Sequence, residues 1–176
     1  MSSVFFDLYT TEDANQTIIE PVTEDMVKND MKVEESFDAN TAVIGTYITT
    51  ARNMIEDHIN NIIVSRKFTT IRTGYIQSVH LKTPVISITS VKVTDLSDIE
   101  ITLGTTDYIL IHQSGICQLD LDYQVKKIEV NYRSGMDTIP FALQQACLKI
   151  IRELYANAQI DLTTMKELDT YRSLNI

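Results

Sequence analysis

The chain has 176 residues, 44% hydrophobic and 22% charged, with 24 acidic against 15 basic side chains and a formal net charge of −9. That length suffices for one domain burying roughly 70% of its unfolded surface. No run of about 18 apolar residues marks a membrane span, the start MSSVFFDLYTTED lacks the pattern of a signal peptide, and scattered Lys and Arg argue against tight binding of DNA phosphates. The expectation is a soluble protein made and kept in a cytoplasm.

Residues 1–20 have mixed polarity and no sustained period, and read as an N-terminal arm with room for a short strand at Val4–Tyr9. From Pro21 the segment PVTEDMVKNDMKV predicts a short helix. Thr23 is its cap, and Glu24 and Asp25 sit where the helix dipole favours negative charge. A long helix is predicted from Ala39 to Ile62 with Asp38 as N-cap. Its apolar stripe is Ile44, Ile48, Ala51, Ile55, Ile59 and Ile62, with Tyr47 and His58 on the border. Steps of three and four put the stripe on one face, over a length of roughly 36 Å.

From Val64 to Tyr132 the residues are those of strands, broken by turn signals at Thr73-Gly74, Lys82-Thr83-Pro84, Leu96-Ser97-Asp98, Gly104 and Ser114-Gly115. In KIEVNY the apolar Ile128, Val130 and Tyr132 alternate with Lys127, Glu129 and Asn131, so one face is wet. In PVISITSVKV the parity of Ile86 and Ile88 differs from that of Val91 and Val93, which calls for a bulge near Thr89-Ser90. Short regular strands of this kind predict an antiparallel sheet of hairpins.

Gly135 suits a positive-φ turn and Pro140 the first turn of a helix. The helical stripe that follows is Leu143, Cys147, Ile150, Ile151, Leu154, Tyr155 and Ala158. Beyond it, Thr164-x-x-Glu167 matches a capping box, so a short helix is expected to start there. Leu162, Met165, Leu168 and Tyr171, continued by Leu174 and Ile176, are expected to lie exposed along one side, as a surface for a partner. A tail folded back on its own domain is the alternative. The fold class is therefore α+β: amphipathic helices packed with a small antiparallel sheet of hairpins, then a C-terminal helix and an extended tail. The expected division is an arm at 1–20, a main domain at 21–158 and a tail at 159–176.

Chemistry is hard to find. His58, His80 and His112 share no metal-ligand spacing, and Asp120-x-Asp122 lacks the Gly and Glu of a calcium loop. No GxSxG elbow, Gly-rich phosphate loop or HExxH motif occurs. Cys117 and Cys147 form neither a disulfide framework nor a CxxC site, and read as small buried hydrophobes. No catalytic residue, metal or cofactor is expected.

The order of elements carries more than any motif. ITTARNMIEDHIN, the P-V-x-x-I-T-S-V segment at Pro84–Val91, Asp107-Tyr108, and the strand–Gly–Pro–helix block ending in LYANA follow one another in sequence. From Pro21 to Ala158 the chain resembles the head–tail connector (adaptor) family of tailed bacteriophages. It departs in carrying about twenty extra N-terminal residues, and in having Met136 after Gly135 where an aromatic is frequent. The resemblance implies a structural protein of the virion neck, assembled in the host bacterial cytoplasm. Head-to-tail contacts would close about twelve copies into a ring under the portal protein, extending the DNA channel. It implies a downstream stopper or tail-completion protein as a further partner, and DNA passing through the lumen without sequence-specific binding. The tail, Leu162 to Ile176, would be the portal-docking segment. Another neck component, a head-closure or tail-completion protein, is the alternative. A small hydrolase or metal-dependent enzyme built on His80, His112 and acidic side chains is a third reading.

Overall fold

Alternating apolar residues build the strands, and three-and-four spaced apolar residues build the helices, in nearly the expected places. The computed structural model describes residues 8–32, 41–112, 114–156 and 159–172. Its contacts divide the chain into a β unit, Met1–Thr17 with Ser65–Met136, and a helical unit, Ile18–Val64 with Asp137–Ile176. The class is α+β.

The β unit holds β1 (Leu8–Glu12), β2 (Arg66–Ile76), β3 (Ser78–His80), β4 (Val85–Asp95), β5 (Glu100–Thr102), β6 (Tyr108–Ile111), β7 (Ile116–Leu119) and β8 (Val125–Ser134). They form two antiparallel sheets, ordered β1-β2-β8-β4-β5 and β3-β7-β6. Among the described residues, β1–β2, β4–β5 and β6–β7 are the pairs of consecutive strands that bond to each other; β8 returns from far along the chain to sit between β2 and β4. Burial follows the predicted alternation: Ile128, Val130 and Tyr132 are at most 1% exposed, while Lys127, Glu129 and Asn131 stay half-buried. Phe68 stacks on Tyr132, and Val79, Cys117 and Leu119 add to the unit's core.

The register of β4 against β8 slips between Ile88 and Ser90, where the parity change called for a bulge. The Thr73-Gly74 turn signal is corrected. β2 runs through it, with a register shift between Thr73 and Ile76 and Gly74 at φ 113°, because β8 supplies a partner on both sides of the irregularity. The strand placed at Val4–Tyr9 starts at Leu8 among the described residues; Val4 to Asp7 lie outside them.

The helical unit holds α1 (Glu24–Met31), α2 (Thr41–Ile59), α3 (Phe141–Tyr155) and α4 (Leu162–Glu167), followed by a 3-10 turn, Leu168–Tyr171. Thr23 caps α1, its hydroxyl accepting from the Met26 N–H at 3.2 Å. On α2, Ile44, Ile48, Ala51, Ile55 and Ile59 are all buried. The helix ends at Ile59, not Ile62, because Asn60 turns left-handed at φ 52°. Ile62 is buried all the same, and the Glu56 carboxylate accepts from the Ile63 N–H at 2.8 Å. The predicted cap Asp38 lies outside the described residues. On α3, Leu143, Cys147, Ile150 and Ile151 are fully buried; Tyr155 is 40% exposed and meets Tyr47 edge-on. Ala158 lies outside the described residues.

Candidate functional site

The C-terminal segment begins where Asp161 caps α4, and this overturns the capping box. The helix starts at Leu162, two residues before Thr164, because Asp161 already accepts from the Thr163 N–H at 2.9 Å and from its hydroxyl. Thr164 is left inside the helix, 2% exposed. Lys149 on α3 pairs with the other Asp161 oxygen at 3.1 Å, and the Asp161 N–H donates to Glu153 at 3.1 Å. The Thr163 hydroxyl, then its N–H, then Lys149 hold the Asp161 carboxyl at about 2, well below the usual carboxylate range.

Two further ties reach α2 and the residues just after it. His58 Nε2 lies 2.9 Å from Asp169 Oδ1, and the Asn61 amide donates to the Tyr171 carbonyl at 2.8 Å. Leu168 is the apolar anchor, 2% exposed. The expected exposed stripe is therefore corrected at Leu168, which faces its own unit because the 3-10 turn lies against α2. Met165 and Tyr171 are half-buried, and Leu174 and Ile176 lie outside the described residues. Between α3 and α4 a cleft of ≈ 270 Å³ is lined by residues including Gln145, Lys149, Thr164, Glu167 and Leu168. Sequence reasoning missed the ties. Asp161 before LTTM is a legible N-cap, but nothing in sequence pairs Lys149 with Asp161 or His58 with Asp169.

The residues singled out for chemistry are dispersed. His58 is committed to Asp169, His112 Nδ1 lies 3.3 Å from the Val85 carbonyl, and His80 is an exposed residue of β3. Among the described residues no group of three or more His, Cys, Asp or Glu is placed to hold a metal ion. Cys117 and Cys147 are free and buried, and burial pushes their thiols to about 11 and about 12. No thiolate nucleophile is available near neutral pH.

A comparison of folds decides what this arrangement resembles. The chain shares its fold with proteins of gene transfer agent (GTA) particles. It superposes on a chain of the virion of the native GTA particle with a TM-score of 0.71, covering 95% of this chain and 96% of that one at 16% identity. A chain of the neck of the empty GTA particle, computed with C6 symmetry, gives 0.68 over 92% and 97% at 16% identity. One from the neck of the native particle, computed with C12 symmetry, gives 0.63 over 92% and 97% at 18% identity. No protein-family model matches the chain, and no curated protein matches its sequence. The likeness spans both units and nearly the whole of each matched chain.

Proposed function

We propose that the protein is a non-catalytic structural component of the neck of a tailed, phage-like particle, a ring-forming adaptor between portal and tail. The observation that carries this reading is the fold match with the GTA virion chain, a TM-score of 0.71 over 95% of the protein. The neck chains with that fold come from assemblies computed with C6 and C12 symmetry, which supports a ring of identical copies here. Each contact in such a ring can be modest, because many copies engage their neighbour at once.

The charge distribution supports a lumen for DNA. The helical unit carries 14 Asp and Glu against 7 Lys and Arg, a net −7, while the β unit carries 10 against 8, a net −2. An acidic helical surface repels phosphate, so DNA slides past without sticking. The C-terminal segment 159–176 is the portal-docking element of this reading. Leu168 holds it to its own unit, and Met165, Tyr171, Leu174 and Ile176 carry the contact.

Imaging of the particle neck with the protein labelled tests the reading. The expected result is a ring directly beneath the portal; absence of the protein from mature particles rejects it. Removing Leu162–Ile176 should abolish binding to the portal. A truncated protein that binds as well as the intact one would leave the ring but remove the docking role of the tail.

A further inference from the structure

We infer that copies join by strand addition, β1 of one copy pairing with β6 of the next. This rests on the ring-forming reading. Both strands are sheet edges within the β unit: β1 ends the order β1-β2-β8-β4-β5 and β6 ends β3-β7-β6. Such edges normally carry Lys, Pro or a bulge that blocks pairing. LYTTE and YILI carry none of these among the described residues.

Their main-chain groups are set for pairing. The Asp13 N–H donates to the Lys67 carbonyl at 3.1 Å, so Tyr9 and Thr11 face β2 and the backbone groups of Leu8, Thr10 and Glu12 point to the open edge. The Asp120 N–H donates to the Asp107 carbonyl at 2.9 Å, so Ile109 and Ile111 face β7 and those of Tyr108 and Leu110 point outward. An antiparallel register with Thr10 opposite Leu110 and Glu12 opposite Tyr108 uses all four residues of β6. It forms about four main-chain hydrogen bonds and brings Tyr9 against Ile111 and Thr11 beside Ile109.

Charge selects a second copy as the occupant. Two molecules of net charge −9 repel over most approaches. The one charge in β1, Glu12, is neutralised by Arg66 at 2.8 Å, and β6 has none. The register also places Ile109 beside Gln118 and Ser78, and Ile111 beside Ile116 and His80, a sheet face without Lys, Arg, Asp or Glu. Leu8 and Tyr9 are 53% and 50% exposed, Ile109 and Ile111 57% and 42%: apolar surface a monomer leaves in water. Two different edges meeting make a head-to-tail contact, which closes into a ring when the rotation between copies divides a full turn; β6 meeting β6 would stop at a dimer.

Cysteine cross-linking in assembled particles tests this. Thr11 and Ile109 would be a non-hydrogen-bonded pair, close enough for a disulfide, and buried Cys117 and Cys147 stay out of the oxidation. Particles carrying the Thr11→Cys, Ile109→Cys double variant should give a ladder of covalent multimers on a non-reducing gel, and either single variant none. Dimers from Ile109→Cys alone, or no cross-link in particles that contain the protein, overturn the inference and leave the neck reading standing; particles lacking the protein overturn the neck reading itself. Ile109→Lys, at an exposed position, should abolish ring incorporation with an unchanged circular dichroism spectrum, and normal incorporation would contradict the pairing.

Discussion

Arg52 Nε lies 3.1 Å from Glu20 Oε2, and the two side chains are 5% and 26% exposed. Thr49 donates to the other Glu20 oxygen at 3.2 Å. The pair ties the segment before α1 to the middle of α2 through an ion pair rather than an aligned hydrogen bond. Glu20→Ala strands a guanidinium in the core of the helical unit, at a cost of about 3 kcal/mol. Replacing both partners with apolar residues of similar volume should cost less, because no charge is then left buried. Urea denaturation of the three proteins measures the difference, and a loss under about 0.5 kcal/mol for Glu20→Ala would show that the charge finds water instead.

Leu168 and Met165 are one turn apart in sequence, and on the portal-docking reading they divide the labour of the C-terminal segment. Leu168→Ala removes the buried anchor and should cost about 2 kcal/mol, the low end for a site that can relax. Limited proteolysis should then cut between Asp161 and Arg172 faster than in the parent protein. Met165→Ala should change stability by less than about 1 kcal/mol and, if the segment docks on the portal, weaken that binding instead. Equal protease sensitivity of Leu168→Ala and the parent would mean that the polar ties alone hold the segment.

Local periodicity explains why so much of the fold was legible. The α2 stripe, the β8 alternation and the β4 bulge all follow from which residues share a face, and a face is set by the nearest few positions. The placement of β8 between β2 and β4 was not legible, since pairing partners some thirty to seventy residues apart leave no local signal. At the tail the same limit appears in sharper form. The spacing of Leu162, Met165, Leu168 and Tyr171 predicts one apolar side, but spacing says nothing about what covers it. Leu168 is covered by its own unit, through a 3-10 turn whose ties to His58 and Asn61 span more than a hundred residues.

Asp161 gives the segment a pH dependence. Its carboxyl is held at about 2 by the Thr163 hydroxyl and N–H and by Lys149, below the unfolded value of about 3.9. A depressed carboxylate contributes stability that is fully present above the unfolded value and lost as the pH falls through the folded one. The cap of α4 should therefore stay in place at pH 5, weaken from about pH 4 downward and be gone below about pH 2. Carbon-detected NMR titration of the Asp161 side chain should give a midpoint near 2, and Lys149→Met should raise it. A midpoint near 4 in the parent protein would mean that the cap does not persist in solution.

Gly115 links the hairpin β6–β7 to the rest of the β unit. It sits at φ 64°, and its carbonyl accepts from the Leu81 N–H at 2.8 Å. A Cβ there would stand 2.5 Å from Thr83 Cγ2 and 2.8 Å from the Leu81 carbonyl oxygen. The second of those is backbone and has no rotamer to escape into. Gly115→Ala therefore combines left-handed strain with a main-chain collision and should cost about 2 kcal/mol or more. Gly104→Ala is the matched control, because its Cβ would come only within 3.3 Å of the Asp107 carboxylate, which can rotate away. Its cost should stay below about 1 kcal/mol. If strand addition at β6 builds the ring, Gly115→Ala should also lower ring incorporation more than Gly104→Ala does, since a displaced β7 moves the edge that β1 of the neighbour must meet. Thermal denaturation gives the first comparison and particle composition the second; equal effects of the two substitutions would refute the collision at Gly115.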